Sequence, residues 1–347
     1  MSVLLLRRGA LALLMMAGTM ADVFAAPRPA CALASGIPTG FGPGSASQPN
    51  SAGMKSVPAG RFRLGSDSGY AEERGGRAVD VPAFMIDEHE VTNAQFAAFV
   101  RATGYITDAE RNRASAVFIT PKPGQPITPY GWWKLVSGAD WRHPQGPGSS
   151  IVYRQNHPVV QVTYADANAY ARWLGRNLPS EIEWEYAARG GQNEKQASVA
   201  DAAQGNTAEF QRLLQKTANT WQGSFPDRNT ARDGWIGTAP AGCFAPNGFG
   251  LHDMIGNVWE LTGDIWKEDH AADDPDTVQL AQQVKSGLPR RTIKGGSFLC
   301  APDFCVRYRA SSRQPQDAAF GTSHVGFRTA LRSDAYKRYN APTDSRR

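Results

Sequence analysis

Apolar residues recur at helical spacing in three places along this chain, and at strand spacing in two. Phe96, Phe99 and Val100 fall at i, i+3 and i+4 behind Thr92-Asn93-Ala94-Gln95, a capping box, and Gly104 stops the run. A second helix is predicted to open at Thr163, bury Tyr170, Trp173 and Leu174, and stop at Gly175. A third begins at Ser180-Glu181-Ile182-Glu183, carries Trp184 and Ala188, and ends at Gly190-Gly191. Val57 to Gly65 alternates apolar and polar residues and closes in turn residues, so it reads as a strand. Val79 to Ile86 reads as a second extended segment, and Thr207 to Lys216 carries a weaker helical pattern. The last third is short apolar stretches broken by Gly, Asn and Pro, without an internal repeat. This mixture predicts an irregular α+β domain in which loops dominate.

The flanks have a different character. Arg7-Arg8, the short apolar run Gly9 to Met20 and the small-residue site Val23-Phe24-Ala25 mark residues 1–25 as an export signal. That run is too short to span a bilayer, so no membrane span is expected. Arg28-Pro29-Ala30 before Cys31 is a poor lipidation site, and a soluble periplasmic or secreted protein follows. Residues 26–53 are rich in Pro, Gly, Ser and Ala with almost no charge, which predicts a flexible linker. The domain is expected at 54–332, with a basic tail at 333–347.

Composition narrows the class. The chain has 347 residues, 41% hydrophobic and 20% charged, with 35 Gly, 23 Pro and 9 Trp. Those values exclude a disordered chain and a polytopic membrane protein. The formal charge of +5 falls to +4 without Arg7, Arg8 and Asp22, and the segment from Arg332 to Arg347 holds +3 of it. A body near +1 offers no basic stripe for nucleic acid.

Candidate chemistry is sparse. The P-loop, the paired-histidine zinc motif and the Gly-x-Ser-x-Gly elbow are missing. Histidines 89, 143, 157, 252, 270 and 324 never fall at metal-ligand spacing, and structural roles are expected for them. Glu72, Glu73, Glu181, Glu183 and Glu185 occupy expected surface or cap positions. Export makes disulfides permissible for Cys31, Cys243, Cys300 and Cys305. Spacing leaves two readings open for Cys300 and Cys305. One is a short-loop disulfide, which would stabilise little; the other is a reactive or metal-binding pair. In Lys294-Gly295-Gly296-Ser297-Phe298-Leu299-Cys300, two glycines permit a close backbone approach and a hydroxyl precedes the first thiol by three residues. Two thiols five apart suit a soft ion such as Cu(I), and Arg307 and Arg309 nearby would favour the thiolate form.

The stretch from Lys294 to Arg309, with Val325-Gly326-Phe327-Arg328, resembles the C-terminal signature of the formylglycine-generating enzymes, also called sulfatase-modifying factors. The resemblance runs from about Met54 to Leu331. It includes Glu90-Val91-Thr92-Asn93, Trp141-Arg142-His143-Pro144, His157-Pro158-Val159, Leu178-Pro179-Ser180-Glu181, Asn219-Thr220-Trp221-Gln222-Gly223 and Gly256-Asn257-Val258-Trp259-Glu260. The resemblance implies an irregular, C-type-lectin-like α+β fold with a small twisted antiparallel sheet and flanking helices.

It also implies chemistry. Cys300 and Cys305 would hold Cu(I), Ser297 would position oxygen or a proton relay, and Trp259 would line the pocket. The reaction implied is the O2-dependent oxidation of a cysteine to Cα-formylglycine. The expected substrate is a Cys-x-Pro-x-Arg segment of an unfolded or partly folded type I sulfatase, met by a monomer. Two calcium sites are implied as well. One takes Asn219, the Thr220 carbonyl, Asp233 and the Trp235 carbonyl. The other takes Asp253, Glu260 and the carbonyls of Gly256 and Val258. Loop oxygens suit this hard cation, although Asp233 and Asp253 would also serve as turn caps. Three features depart from the family pattern. Residues 192–216 form a longer polar loop, Cys243 is either free or paired with Cys31, and His324 stands where Asn is frequent. A calcium-stabilised binding module, or an oxidase of another exported peptide or thiol, is the alternative reading.

Overall fold

The structure is a computed structural model and describes residues 36–192 apart from 123 and 125, residue 214, residues 217–270 apart from 269, and residues 289–332. The export signal, the basic tail, Cys31 and nearly all of the helix expected at 207–216 lie outside the described residues.

Among the described residues, four α-helices form where side chains satisfy the first free N–H groups. Helix α1, Asn93–Thr103, starts at Thr92, whose side chain accepts from Gln95 N, and ends at Gly104 with φ 67°. Helix α2, Asp108–Asn112, is a single capped turn behind Thr107. Helices α3, Tyr164–Trp173, and α4, Glu181–Arg189, follow Thr163 and Ser180, and Gly190 closes α4 at φ 59°. Trp173 is only half-buried, whereas Tyr170 and Leu174 are buried.

The strands are short. β1 (Met54–Val57), β4 (Phe84–Asp87) and β11 (Ala330–Arg332) form one antiparallel sheet with β4 central. β2 (Gly60–Arg63) pairs with β3 (Ala78–Val81), and β5 (Ala114–Phe118) with β6 (Trp133–Ser137). The sheet nearest the candidate chemistry has the order β10-β7-β8-β9, from β7 (Trp259–Ile265), β8 (Arg290–Lys294), β9 (Arg313–Asp317) and β10 (Val325–Gly326). Its β7–β8–β9 ladder is antiparallel, while β10 joins β7 in parallel by pairing Val325 with Trp259. Each long extended segment read from the sequence is divided in two. Pro58-Ala59 separates β1 from β2, and Pro82-Ala83 separates β3 from β4, because proline removes a ladder donor.

The expected linker is docked from about residue 36. Gly44 N and Asn50 N donate to the carbonyls of Trp173 and Leu174, at 2.9 Å each, and so satisfy the end of α3. Arg176 donates to the Ala52 carbonyl at 2.8 Å, and the Phe41 ring meets Trp173 at 5.6 Å. A side chain on Gly44 would collide with the Leu174 carbonyl.

One core gathers Phe96, Trp141, Tyr170 and Phe327, whose rings meet edge-on or stacked, and Trp259, Cys300 and Cys305 border it. A second surrounds Trp184, Ile86 and Phe62. Beside β8 runs a buried ionic layer. Glu73, Glu181 and Glu185, expected at the surface or in caps, are inside. Distant cations make that burial tolerable. Arg309 pairs with Glu73, Arg313 with Glu181, and Lys294 with Glu185 at 2.9 Å.

Candidate active site

The thiol loop starts where β8 ends. Lys294, fully buried, is held by Glu185 Oε2 at 2.9 Å and the Ser311 carbonyl at 3.1 Å. Gly295 (φ 94°) and Gly296 (φ 76°) then turn the chain through backbone conformations that side chains disfavour. A Cβ on Gly296 would lie 2.7 Å from the Arg307 carbonyl, so this glycine lets the loop fold back on itself. Ser297 caps the next turn: its Oγ accepts from Leu299 N at 3.2 Å and its carbonyl from Cys300 N at 2.9 Å. Cys305 N donates to the Ala301 carbonyl at 3.0 Å, which brings the second cysteine back beside the first.

Cys300 and Cys305 are free thiols, both buried, with their Sγ atoms 2.7 Å apart. Burial and the neighbouring sulfur push Cys300 up. The hydrogen bond from Cys300, aided by the Arg307 guanidinium, holds Cys305 below the usual thiol range. Cys305 therefore loses its proton first, and Cys300 donates to it. Arg307 is fixed by Glu72 Oε1 at 2.6 Å and lies 3.9 Å over the Tyr70 ring. Arg309, also expected to favour a thiolate, is committed instead to Glu73. Trp259 is buried in β7 and its backbone N–H donates to the His324 carbonyl at 2.9 Å.

Three hydrogen bonds tie this loop to two others. Trp221 N donates to the Cys300 carbonyl, Phe298 N to that of Asn257, and Gly256 N to that of Gly295, at 2.9–3.0 Å. Those partners belong to the segments in which calcium ligands were expected. Asn219 is buried; its amide donates to the Gly237 carbonyl, and its Oδ1 has no partner. Buried Asp233 accepts from Trp235 N at 2.9 Å, the turn-cap role its position also allowed. At the second position Asp253 (φ 53°) accepts from Gly242 N, and its Oδ1 has no partner. Glu260 is already engaged: Arg328 grips both its oxygens at 2.6 and 2.7 Å, and Trp184 Nε1 donates at 2.7 Å. Gly256 and Val258 lie in the turn between Asp253 and Glu260.

Glu90 was missed as a candidate. It is fully buried, neither carboxylate oxygen has a partner, and burial together with Asp253 and Glu260 pushes it well above the usual carboxylate range. Its place just before the Thr92 cap was visible in the sequence, but its burial depends on residues 160 or more positions away. Among the described residues Glu181, Glu185 and His270 also converge, within 4.8 Å of one another. Lys294 and Arg313 meet their charge: although burial acts to raise it, these cations hold Glu181 down at about 2. Burial lowers His157 and His270 to about 4 and His324 to about 3, so these three are neutral at pH 7.

Fold and site together define a loop-rich α+β protein that suspends two buried thiols among oxygen-lined loops. The sulfatase-modifying factor enzyme 1-like domain matches residues 42–333, and the chain belongs to that family. The formylglycine-generating enzyme of Mycobacterium tuberculosis is 47% identical over 294 residues, covering 78% of this chain and 95% of the relative. That of Mus musculus is 40% identical over 80% of this chain and 74% of its own length. Among solved structures, PvdO from Pseudomonas aeruginosa is 25% identical with a TM-score of 0.51, over 80% of this chain and 93% of the other.

Proposed function

We propose that this chain is an exported oxidase that converts a cysteine of a sulfatase polypeptide to Cα-formylglycine, with Cu(I) as cofactor and O2 as co-substrate. The observation that carries the reading is the pair of buried free thiols 2.7 Å apart. Two soft thiol donors brought together in one loop fit Cu(I) by donor type, and the relatives named above bear the name of this activity. Bound between Cys300 and Cys305, Cu(I) would supply an open position for the substrate thiol and one-electron chemistry with O2.

The chain's own residues do the rest. Cys305 enters as the thiolate and Cys300 gives up its proton on loading. Arg307 offsets part of the charge that accumulates on sulfur, Ser297 fixes the turn that presents Cys300, and Trp259 closes the buried side. Ca2+ at Asn219 and Asp233, with the Thr220 and Trp235 carbonyls, would stiffen the segment that holds Cys300 through Trp221. The unmet Asn219 Oδ1 supports that assignment. A second Ca2+ at Asp253, whose Oδ1 is unmet, and the Gly256 and Val258 carbonyls would brace Gly295 and Phe298 in the same way, and it would have to share Glu260 with Arg328.

Disulfide-bonded Cys243 agrees with an oxidising compartment, and among the described residues no helix is long and apolar enough to cross a membrane. The substrate would bind as an extended Cys-x-Pro-x-Arg segment. The test incubates copper-loaded mature protein in air with a Cys-Thr-Pro-Ser-Arg peptide. An aldehyde seen by mass spectrometry and captured by a hydrazide probe is expected; a peptide left intact under every metal condition contradicts the reading.

A further inference from the structure

We infer that Cys31 is the disulfide partner of Cys243, and that their bond latches the N-terminal segment onto the loop that leads to Asp253. The inference is independent of what the thiol pair oxidises. Cys243 is disulfide-bonded, Cys300 and Cys305 are free thiols, and the chain holds four cysteines, so Cys31 alone remains. Cys31 lies outside the described residues, but the segment that follows it is docked toward Cys243. Pro38 packs on Gly53, where a Cβ would lie 2.7 Å from the proline ring. The Gly53 carbonyl accepts from Glu88 N at 3.0 Å, and the Glu88 carbonyl from His252 N at 2.8 Å. His252 donates in turn through Nδ1 to the carbonyl of Phe244, the neighbour of Cys243, at 2.6 Å. Cys31 precedes Gly36 by five positions, and an extended chain gives it up to about 17 Å of reach from there.

Closure breaks two S–H bonds and forms one S–S bond. The two hydrogens and two electrons pass to the disulfide of a thiol–disulfide oxidoreductase, which leaves as a dithiol. Cys243 is half-buried and open to such a partner, whereas Cys300 and Cys305 are only 1% and 8% exposed. One oxidising compartment can therefore close the first pair and leave the second reduced. A bridge between positions so far apart in sequence restrains the unfolded chain strongly, unlike one across the short spacing of Cys300 and Cys305. The latch also bears on the thiol loop. Gly242 N, beside Cys243, donates to Asp253 Oδ2 at 2.5 Å, and Gly256 N, at the far end of that turn, donates to the Gly295 carbonyl at 3.0 Å. Reduction would release the segment that covers the end of α3 and slacken the support of the Gly295 turn.

The test takes mature protein purified without reductant, alkylates it in denaturant and maps its tryptic peptides by mass spectrometry before any reduction. The peptide ending at Lys55 is expected joined to Asp233–Lys267, with Gly295–Arg307 carrying two alkyl groups. On a non-reducing gel the protein should run as a monomer. Alkylated Cys31 or Cys243, a link from either to Cys300 or Cys305, or a linked dimer overturns the latch. Cys31→Ser, Cys243→Ser and the double variant should all lower Tm by the same amount, about 5–15 °C, because each removes the same bond. Amide hydrogen exchange at Gly44 and Asn50 should quicken in all three. Cys31→Ser carries the test should Cys243→Ser disturb its own loop. If Cys31→Ser melts and exchanges like wild type, the latch is overturned. Every measurement uses metal-free protein, so a failed peptide oxidation leaves the latch standing, and a failed latch leaves the cysteine-oxidation reading standing.

Discussion

Two neighbouring thiols cannot both be ordinary. With their sulfurs 2.7 Å apart and out of water, the pair titrates unevenly, Cys300 pushed up and Cys305 held down. Arg307 favours the thiolate of Cys305, so Arg307→Met should move its titration to higher pH. Ultraviolet thiolate absorbance of metal-free protein checks this, and an unchanged midpoint would deny Arg307 its role. Glu90 makes the opposite case. Its folded pKa is raised, so its contribution to stability is full below the unfolded carboxylate pKa and fades as pH climbs through the folded value. In metal-free protein at neutral pH, Glu90→Gln should therefore raise Tm, by about 2–4 °C for each kcal/mol relieved. Added calcium should erase or reverse that gain if the carboxylate faces the ion, and melting curves with calcium and with chelator decide. Neither residue's state was legible in the sequence. Cys300 and Cys305 stood out by spacing, but only the structure separates two free thiols from a disulfide.

Elements were legible where local chemistry decides them. Thr92, Thr163 and Ser180 each announced a helix because cap and apolar stripe agree within a dozen residues. Helix α2 carries the same cap signature, Thr107 with Glu110, but its five residues are too few for a stripe. Pro58 and Pro82 interrupt segments that alternation alone joins into single strands. The thiol loop is itself an element specified by glycine. Gly296→Ala places a Cβ 2.7 Å from the Arg307 carbonyl at φ 76° and should cost about 1–3 kcal/mol. Activity should fall with it, because the strain lies between Lys294 and Cys300. Thermal melting with peptide turnover would show this, and a variant that keeps both stability and turnover would contradict the rigid-loop account.

At the scale of the molecule, partners far apart in sequence decide what is inside. Glu73 is neutralised by Arg309, 236 positions on, and Glu181 by Arg313, 132 positions on. Single-segment patterns cannot show such pairing, which explains why these carboxylates read as surface groups. The docked stretch at 36–53 is similar: its composition is that of a linker, yet backbone groups at the end of α3 and the Arg176 side chain hold it. Calcium is expected to act globally too, since an ion bound only to the folded state adds RT ln(1 + [L]/Kd), or about 2.7 kcal/mol at a hundredfold excess over Kd. Chelation should lower Tm, and Asn219→Ala should blunt that response. A melting curve indifferent to chelator after dialysis would remove calcium from the account.

The central claim is that Cys300 and Cys305 together form the reactive site. Its most direct measurement is copper-dependent conversion of the Cys-Thr-Pro-Ser-Arg peptide by Cys300→Ser and Cys305→Ser, with Tm recorded for each. Turnover should vanish in both while Tm stays close to wild type, because two free thiols form no bridge to lose. Full turnover in either variant would contradict the claim, whatever the peptide binds to.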